Sequence, residues 1–279
     1  MGSPLRLAML IVVALFGIYH RVQGFNRLCS LWYAKVQRTC AHCGDNIRMA
    51  FNNDDNKKAV VRVATNGDIN NVAKFLSVSM YADNPIPLAQ QKELYRLEFQ
   101  DLKSRYSSLS AVRGYYSSLL LAEIEGEIVG AVGLDCQILN RDLNKFSKLT
   151  VNSLAYLDSE SEEIVIVLAN LAVRSDQRRR GIGKLLLQNC ETYAKSYIST
   201  SNQEPIDNKS IYLTVDSENQ KAIKLYKQNG YKVVFEDENA TCVVSGEFSL
   251  KTKDCINLCL KKSVGSNNGN ILQSIFRIF

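Results

Sequence analysis

From residue 59 onward, short apolar runs alternate with stretches whose apolar positions recur at helical spacing. Val60-Val61-Arg62-Val63-Ala64-Thr65 reads as a strand that opens a domain at Ala59. Asp68 N-caps a helix with Ile69, Val72, Phe75, Leu76 and Met80 on one face. Asn84-Pro85-Ile86-Pro87 breaks the chain, and a second helical pattern runs from Leu88 to about Tyr106 with Leu94, Leu97 and Leu102 at helical spacing. Leu119–Glu125 and Glu127–Cys136 flank Gly126 as a hairpin. Leu139–Glu163 is a polar connection without periodicity, and Ile164–Val173 is apolar throughout, the pattern of a fully buried strand. Ile182, Leu186, Cys190, Tyr193 and Tyr197 make the inner face of the next helix, followed by a polar loop over 199–209. Ile211–Val215 reads as a strand, and Ser217–Asn229 as a helix closed by Gly230. Tyr231–Phe235 and Cys255–Leu260 are the last strands, with a polar insert between them. From Lys261 the chain turns Ser/Asn/Gly-rich, ending in the short apolar Ile275–Phe279. No internal repeat is visible.

Composition changes this picture little. In 279 residues, 46% hydrophobic and 22% charged is ordinary for a globular protein with a sizeable core. The net charge of +6 sits largely before the domain. Residues 1–24 carry Arg6 and Arg21 without an acid, and residues 25–58 carry six basic against three acidic side chains, so only +1 falls on 59–279. A nearly neutral domain argues against a broad basic face for nucleic acid. Of eight cysteines, Cys136, Cys190, Cys242, Cys255 and Cys259 lie in the domain, mostly in apolar runs, and read as buried thiols. Cys40-Ala-His-Cys43 is a CxxC outside it with no second pair to complete a zinc site.

The N-terminus places Arg6 before an apolar run, Leu7–Ile18, with Val22 and Gly24 at −3 and −1 of a cleavage site. Twelve apolar residues make a helix of about 18 Å against a hydrocarbon core of roughly 30 Å, so a signal peptide over 1–24 is expected, with an uncleaved anchor as the alternative.

Candidate chemistry concentrates at Asn170–Leu187, NLAVRSDQRRRGIGKLLL. A buried strand that passes through a glycine-bearing, arginine-rich turn into a helix N-terminus makes an anion site from unpaired N–H groups and the helix dipole. Gly181 and Gly183 let a phosphate approach the backbone, and Arg178, Arg179 and Arg180 add charge. A nucleotide P-loop is excluded, because its first glycine and its Ser/Thr would fall at Arg178 and Leu185.

Arg178-x-x-Gly181-x-Gly183, preceded by Leu171-Ala172-Val173, resembles the R/Q-x-x-G-x-G/A signature of the GCN5-related N-acetyltransferases. Asn219-x-x-Ala222-Ile223-x-Leu225-Tyr226-x-x-x-Gly230-Tyr231 resembles the family's second element, in the right order and about 40 residues on. Over residues 60–262 the resemblance implies an α/β fold, a mixed central sheet of about seven strands flanked by about four helices. It implies that acetyl-CoA is the acetyl donor, with no metal. The strand edge at Leu171, Ala172 and Val173 would pair with the pantetheine arm. The loop of Arg178, Arg179, Arg180, Gly181, Ile182, Gly183 and Lys184 would hold the pyrophosphate. Asn219 would contact the cofactor, and Tyr226 would protonate the departing thiolate; its other reading is a core aromatic.

The general base is left open. The two glutamates used by branches of the family fall at Val167 and Thr214. Asp216, Glu162 and Glu163 stand as candidates, beside a water-relayed base or an amine deprotonated before binding. The acceptor implied is a protein or peptide amine, an N-terminus or a lysine, as for plastid and ribosomal-type members. A small-molecule amine and a catalytically silent acyl-CoA-binding module are the alternatives. Phe25 after the cleavage site and the basic stretch to Lys58 resemble the bipartite leaders of algae with secondary plastids, so a transit-like leader over 25–58 and a plastid stroma location are expected, with ER, Golgi or an anchored form as alternatives. Residues 263–279 form a flexible tail in this reading, the mature form has no permanent membrane span, and the oligomeric state is open.

Overall fold

The structure is a computed structural model that describes residues 50–51, 59–83, 86–107, 117–150, 153, 156–158, 160–200 and 206–264. The expected signal segment, most of the leader, Cys40 and Cys43, and the tail beyond 264 lie outside the described residues. The elements in chain order are β1 (Ala50–Phe51), β2 (Ala59–Val63), α1 (Ile69–Ser79), α2 (Leu88–Tyr106), β3 (Ser117–Ile124), β4 (Glu127–Asn140), β5 (Lys145–Lys148), β6 (Glu162–Val173), α3 (Ile182–Thr200), β7 (Ile206–Asp216), α4 (Gln220–Gln228), β8 (Lys232–Ser245) and β9 (Leu250–Ser263).

Among the described residues the strands form one nine-stranded sheet in the order β1-β2-β3-β4-β6-β7-β9-β8, with β5 added to β4. Only β6 and β7 pair in parallel. This is the mixed α/β fold expected, with four α-helices. The helices divide between the faces of the sheet. On one face α3 and α4 close a core of Leu134, Cys136, Ile166, Leu168, Leu186, Leu187, Ile211 and Tyr226. On the other, α1 and α2 bury Val72, Leu76 and Leu102 against Leu119, Leu121 and Ala131. Val165, Val167, Tyr212 and Cys259 continue that second face beneath Phe146 and Phe235 rather than beneath a helix. Burying a large aliphatic side chain contributes about 1.5–3 kcal/mol. The backing of β6 on both faces is therefore what makes its apolar run continuous.

Several expectations are corrected. The supposedly structureless Leu139–Glu163 includes the end of β4 and all of β5, which turns back at Asn144 (φ 50°) and packs Phe146 on Tyr212. The polar insert before Cys255 is a continuous hairpin, paired out to Ser245↔Leu250. Ala240 is the one buried side chain in β8, so no core imprints an apolar alternation on it. The polar loop over 199–209 contracts, since α3 runs to Thr200 and β7 starts at Ile206. Met80 and Leu97, expected on inner faces, are 47% and 39% exposed. Asp68 makes no side-chain cap on α1; its carboxylate pairs with Arg62 at 2.8 Å and accepts from Thr65 N at 2.7 Å. Cys242 and Cys255 are half-buried on the hairpin rather than buried.

Candidate active site

The site starts from a fault in a strand. Along β6, Ala172 pairs with Ala131 and Ala169 with Gly133, so Asn170 and Leu171 together face Val132. This two-against-one count is a β-bulge, and Asn170 takes its left-handed φ of 56°. The pairing of β6 with β7 ends at the same level, at Leu168↔Leu213. Beyond it β6 follows β4 to Val173↔Gly130, and β7 follows β9 to Asp216↔Asn257. Ala169–Val173 and Thr214–Asp216 thus turn unladdered edges toward each other across a wedge, and Asn170 Nδ2 is buried there without a hydrogen-bond partner among the described residues. Backbone edges in this state accept an extended, amide-bearing ligand as they would a strand.

At the wide end of the wedge β6 leaves through a 3₁₀ turn, Ser175–Gln177, into the arginine loop. Arg179 (φ 62°) and Gly181 (φ 82°) are left-handed, which turns successive N–H groups into a concavity at the start of α3. The first helical bond outside that concavity runs from Leu185 N to Gly181 O at 2.9 Å, no acid lies in the first turn, and Arg179, Arg180 and Lys184 are exposed around it. Ile182 is buried and anchors the turn. Packing explains two glycines. A Cβ on Gly183 would lie 3.3 Å from Leu225 Cδ2 and 3.8 Å from Val173 Cγ2, so this glycine lets α3 approach α4. A Cβ on Gly130 would lie 2.9 Å from Leu186 Cδ1, so that glycine seats α3 on β4.

Arg178 is engaged by the protein itself. Its guanidinium donates to Val173 O at 3.1 Å, Ser79 O at 2.9 Å and Asp83 Oδ1 at 2.9 Å, tying the end of α1 to the end of β6. Asp83 also takes Lys221 Nζ of α4 at 3.1 Å, so one exposed carboxylate links both sides of the wedge. Those two cations hold the Asp83 carboxyl below the usual carboxylate range, Lys221 contributing most. Asn219 N-caps α4, its Oδ1 accepting from Ala222 N at 3.1 Å. Tyr226 is 7% exposed, with its ring edge-on to Tyr231 at 6.0 Å between centroids. Burial, and secondarily Cys190, pushes its phenol well above the usual range, so it stays protonated at any working pH and remains available as a hydrogen-bond donor.

On the opposite face of the sheet, α2 crosses the strands. At its start Gln90 Nε2 donates to Gly246 O and Ser245 Oγ donates to Gln90 Oε1, both at 2.8 Å, fastening the β8–β9 hairpin tip. At its end Arg105 Nη1 donates to Asp135 Oδ2 of β4 at 3.1 Å. Tyr106 lays its ring on Gly133, where an added Cβ would lie 2.1 Å from the hydroxyl, and that hydroxyl is buried without a partner among the described residues. Between these ends Glu98 is half-buried and makes no hydrogen bond or ion pair among the described residues. Burial pushes its carboxyl up to about 7, with Asp101 adding and Arg105 opposing. Tyr81 is raised by burial first and then by Glu98 and Cys242.

Of the carboxylates considered from sequence, Asp216 ends β7 at the wedge and the two glutamates lie far from it. Asp216 Oδ1 accepts from Glu218 N at 2.9 Å in the turn before α4. Glu162 and Glu163 pair with Asn140 and Leu139 at the N-terminal end of β6, about 20 Å of strand from the wedge. Val167 is buried, and Thr214 is exposed on the free edge of β7. Sequence reasoning missed Glu98, although one signal was present: a carboxylate four residues from Leu94 and four from Leu102, on an apolar stripe. Among the described residues no group of three or more His, Cys, Asp or Glu side chains is placed to hold a metal ion, and no helix is long and apolar enough to cross a membrane.

The sequence pattern of the Acetyltransferase (GNAT) family matches residues 86–231, more than half of the chain. No curated protein matches it. Among solved structures, Arabidopsis thaliana NAA60 in complex with acetyl-CoA is similar at 20% identity over 76% of this chain and 99% of its own, with a TM-score of 0.44. The ribosomal-protein-S18-alanine N-acetyltransferase from Escherichia coli is similar at 13% identity over 76% of this chain and 99% of its own, with a TM-score of 0.45. A GNAT-family acetyltransferase from Streptococcus pneumoniae is similar at 16% identity over 74% and 99%, with a TM-score of 0.43.

Proposed function

The chain belongs to the acetyltransferase (GNAT) family, and from that premise we propose that it transfers the acetyl group of acetyl-CoA to a primary amine of a protein or peptide, an N-terminus or a lysine side chain. One observation carries this reading: the wedge between β6 and β7 opens beside the cationic start of α3. A ligand with an amide-bearing arm and a pyrophosphate needs a strand edge and an anion site in that order, and the chain supplies both within Ala169–Lys184. The thioester end of the arm then lies at the bulge, within the sheet. The amine must come from the α1/α2 face, where the wedge is not covered by α3 and α4. Tyr226 donates a hydrogen bond toward the departing sulfur, and its raised pKa makes it a stabilising donor in the first place and a proton source only as the thiolate develops.

A small-molecule amine is the second reading, and the hairpin favours it. With Ser245 and Gly246 bonded to Gln90, the acceptor face is narrowed on one side. The test is acetyl transfer by the full chain from radiolabelled acetyl-CoA to a peptide pool with free N-termini and lysines, beside a set of polyamines and amino acids. Label in peptides supports the proposal, label only in small amines supports the second reading, and acetyl-CoA binding without transfer to either leaves an acyl-CoA-binding module.

A further inference from the structure

An amine reaches an active site as an ammonium ion and cannot attack a carbonyl until it has lost a proton. Neither Val167 nor Thr214 can accept one, and Asp216, Glu162 and Glu163 are engaged or distant. The structure supplies a different carboxylate. Helix α2 is fastened at one end to the β8–β9 tip and at the other to Asp135 of β4, so it runs across the strands. Glu98 lies seven residues before Arg105 on the same stripe, two turns or about 10.5 Å along the axis. Adjacent strands are about 4.8 Å apart, so that distance carries α2 from Asp135 on β4 past β6 toward β7, at the level of Val167 and Tyr212, one residue before the two strands part. The neighbouring Leu94 and Leu102 are 2% and 0% exposed, which keeps this stretch of α2 against the sheet. The groups facing Glu98 are Asp101 and Arg105 on its own helix and Tyr81 after α1; Arg105 is in turn held by Asp135 on β4.

A half-buried carboxylate without a partner among the described residues is not a structural ion pair, and it is not a solvated surface charge. We propose that Glu98 is the general base of this enzyme, taking the proton from the acceptor amine over the mouth of the wedge. The inference rests on the amine-acetylation reading above. In the step, an N–H⁺ proton passes to Glu98 Oε. The freed nitrogen lone pair forms the N–C bond to the acetyl carbon as the C–S bond breaks, and the proton that the acylated nitrogen still loses passes through the Tyr226 hydroxyl or water to the departing thiolate. Glu98 then returns its proton to solvent. A carboxyl raised to about 7 by burial is matched to this task, since it is largely ionised just above neutrality and still basic enough to hold a proton.

The experiment compares the full wild-type chain with Glu98→Gln, using acetyl-CoA and two acceptors: the peptide pool, whose amines are protonated at neutral pH, and hydroxylamine, which is neutral there. For wild type, kcat/KM for peptides rises as pH passes upward through about 7. Glu98→Gln loses that limb and falls about 10²–10⁴-fold on peptides, while hydroxylamine acetylation and acetyl-CoA affinity by calorimetry stay within a few-fold. Its melting temperature should be raised at pH 8 and unchanged at pH 4, because the folded chain holds the ionised carboxylate at a penalty that disappears once it is protonated in both states. A variant that keeps both its peptide rate and its acid limb overturns the proposal. Equal losses on both acceptors also overturn it, by making Glu98 structural. If wild type acetylates neither acceptor, the functional reading fails first and this inference with it.

Discussion

The two sides of the wedge are built from different materials. On the α3/α4 side the donor groove is made of backbone: a bulge, two unladdered strand edges, left-handed residues at Arg179 and Gly181, and the N–H groups of a helix start. On the α1/α2 side the space proposed for the acceptor is bounded by side chains from separate stretches, Tyr81, Glu98, and Arg105 with Asp135. A backbone site tolerates most side-chain changes and fails where the main chain is forced out of its conformation. A side-chain site holds its shape under the same substitutions and fails when one functional group is removed.

The largest effect should come from the exception on the donor side. Tyr226→Phe removes a hydroxyl and keeps the ring on Tyr231, so turnover should fall about 10²–10⁴-fold with acetyl-CoA affinity unaltered. A variant with wild-type turnover across the pH range would mean that Tyr226 only packs, and that the donor side is backbone throughout. Gly181→Val tests the backbone itself. At φ 82° a β-branched residue is strained by roughly 1–3 kcal/mol, so calorimetry should show acetyl-CoA affinity lowered about 10-fold or more in a chain that still folds. Wild-type affinity would show that the loop does not need its left-handed turn. Arg178→Ala should act as a structural loss, lowering unfolding free energy in urea by about 1–3 kcal/mol as three hydrogen bonds between α1, β6 and Asp83 disappear. A loss of acetyl-CoA affinity out of proportion to that destabilisation would instead make its guanidinium a direct phosphate ligand. The smallest effect belongs to Asp83→Asn. Its carboxylate is exposed, and stability should change by no more than about 1 kcal/mol, a difference that added salt should erase.

This division also explains what could be read in the sequence. The donor groove was legible because its parts are local: the apolar β6, the glycine turn and the apolar face of α3 are contiguous over Ile164–Leu187. Even so, the pattern assigned Arg178 to the ligand and Asn219 to the cofactor, where the structure gives each a prior engagement, one as a tie between elements and one as a helix cap. The acceptor face was illegible because it depends on how α2 lies across the sheet and where the β8–β9 tip lands. Both are fixed by Gln90, Ser245 and Gly246, 155 and 156 residues apart in the chain. The spacing of Leu94, Leu97 and Leu102 points Leu97 inward and gives no sign of Glu98 for the same reason. A one-residue rotation of a helix face is decided by its tertiary neighbours, and charge type alone does not reveal a buried carboxylate.

The bulge at Asn170 has one more consequence, which concerns parity. Before it, the even positions Ile164, Ile166 and Leu168 point toward α3; after it, the odd positions Leu171 and Val173 do, and even-numbered Ala172 has crossed to the α1/α2 side. The extra residue therefore works as a phase shifter, letting one continuous strand serve one face for its first half and keep serving it after the register has slipped. Deleting Asn170 would not simply shorten β6. It would put Leu171 opposite Val132 and close the ladder with β4, leaving Leu171 and Val173 toward α3 and Ala172 on the α1/α2 side, whereas an unbulged strand that kept Asn170 would exchange those linings.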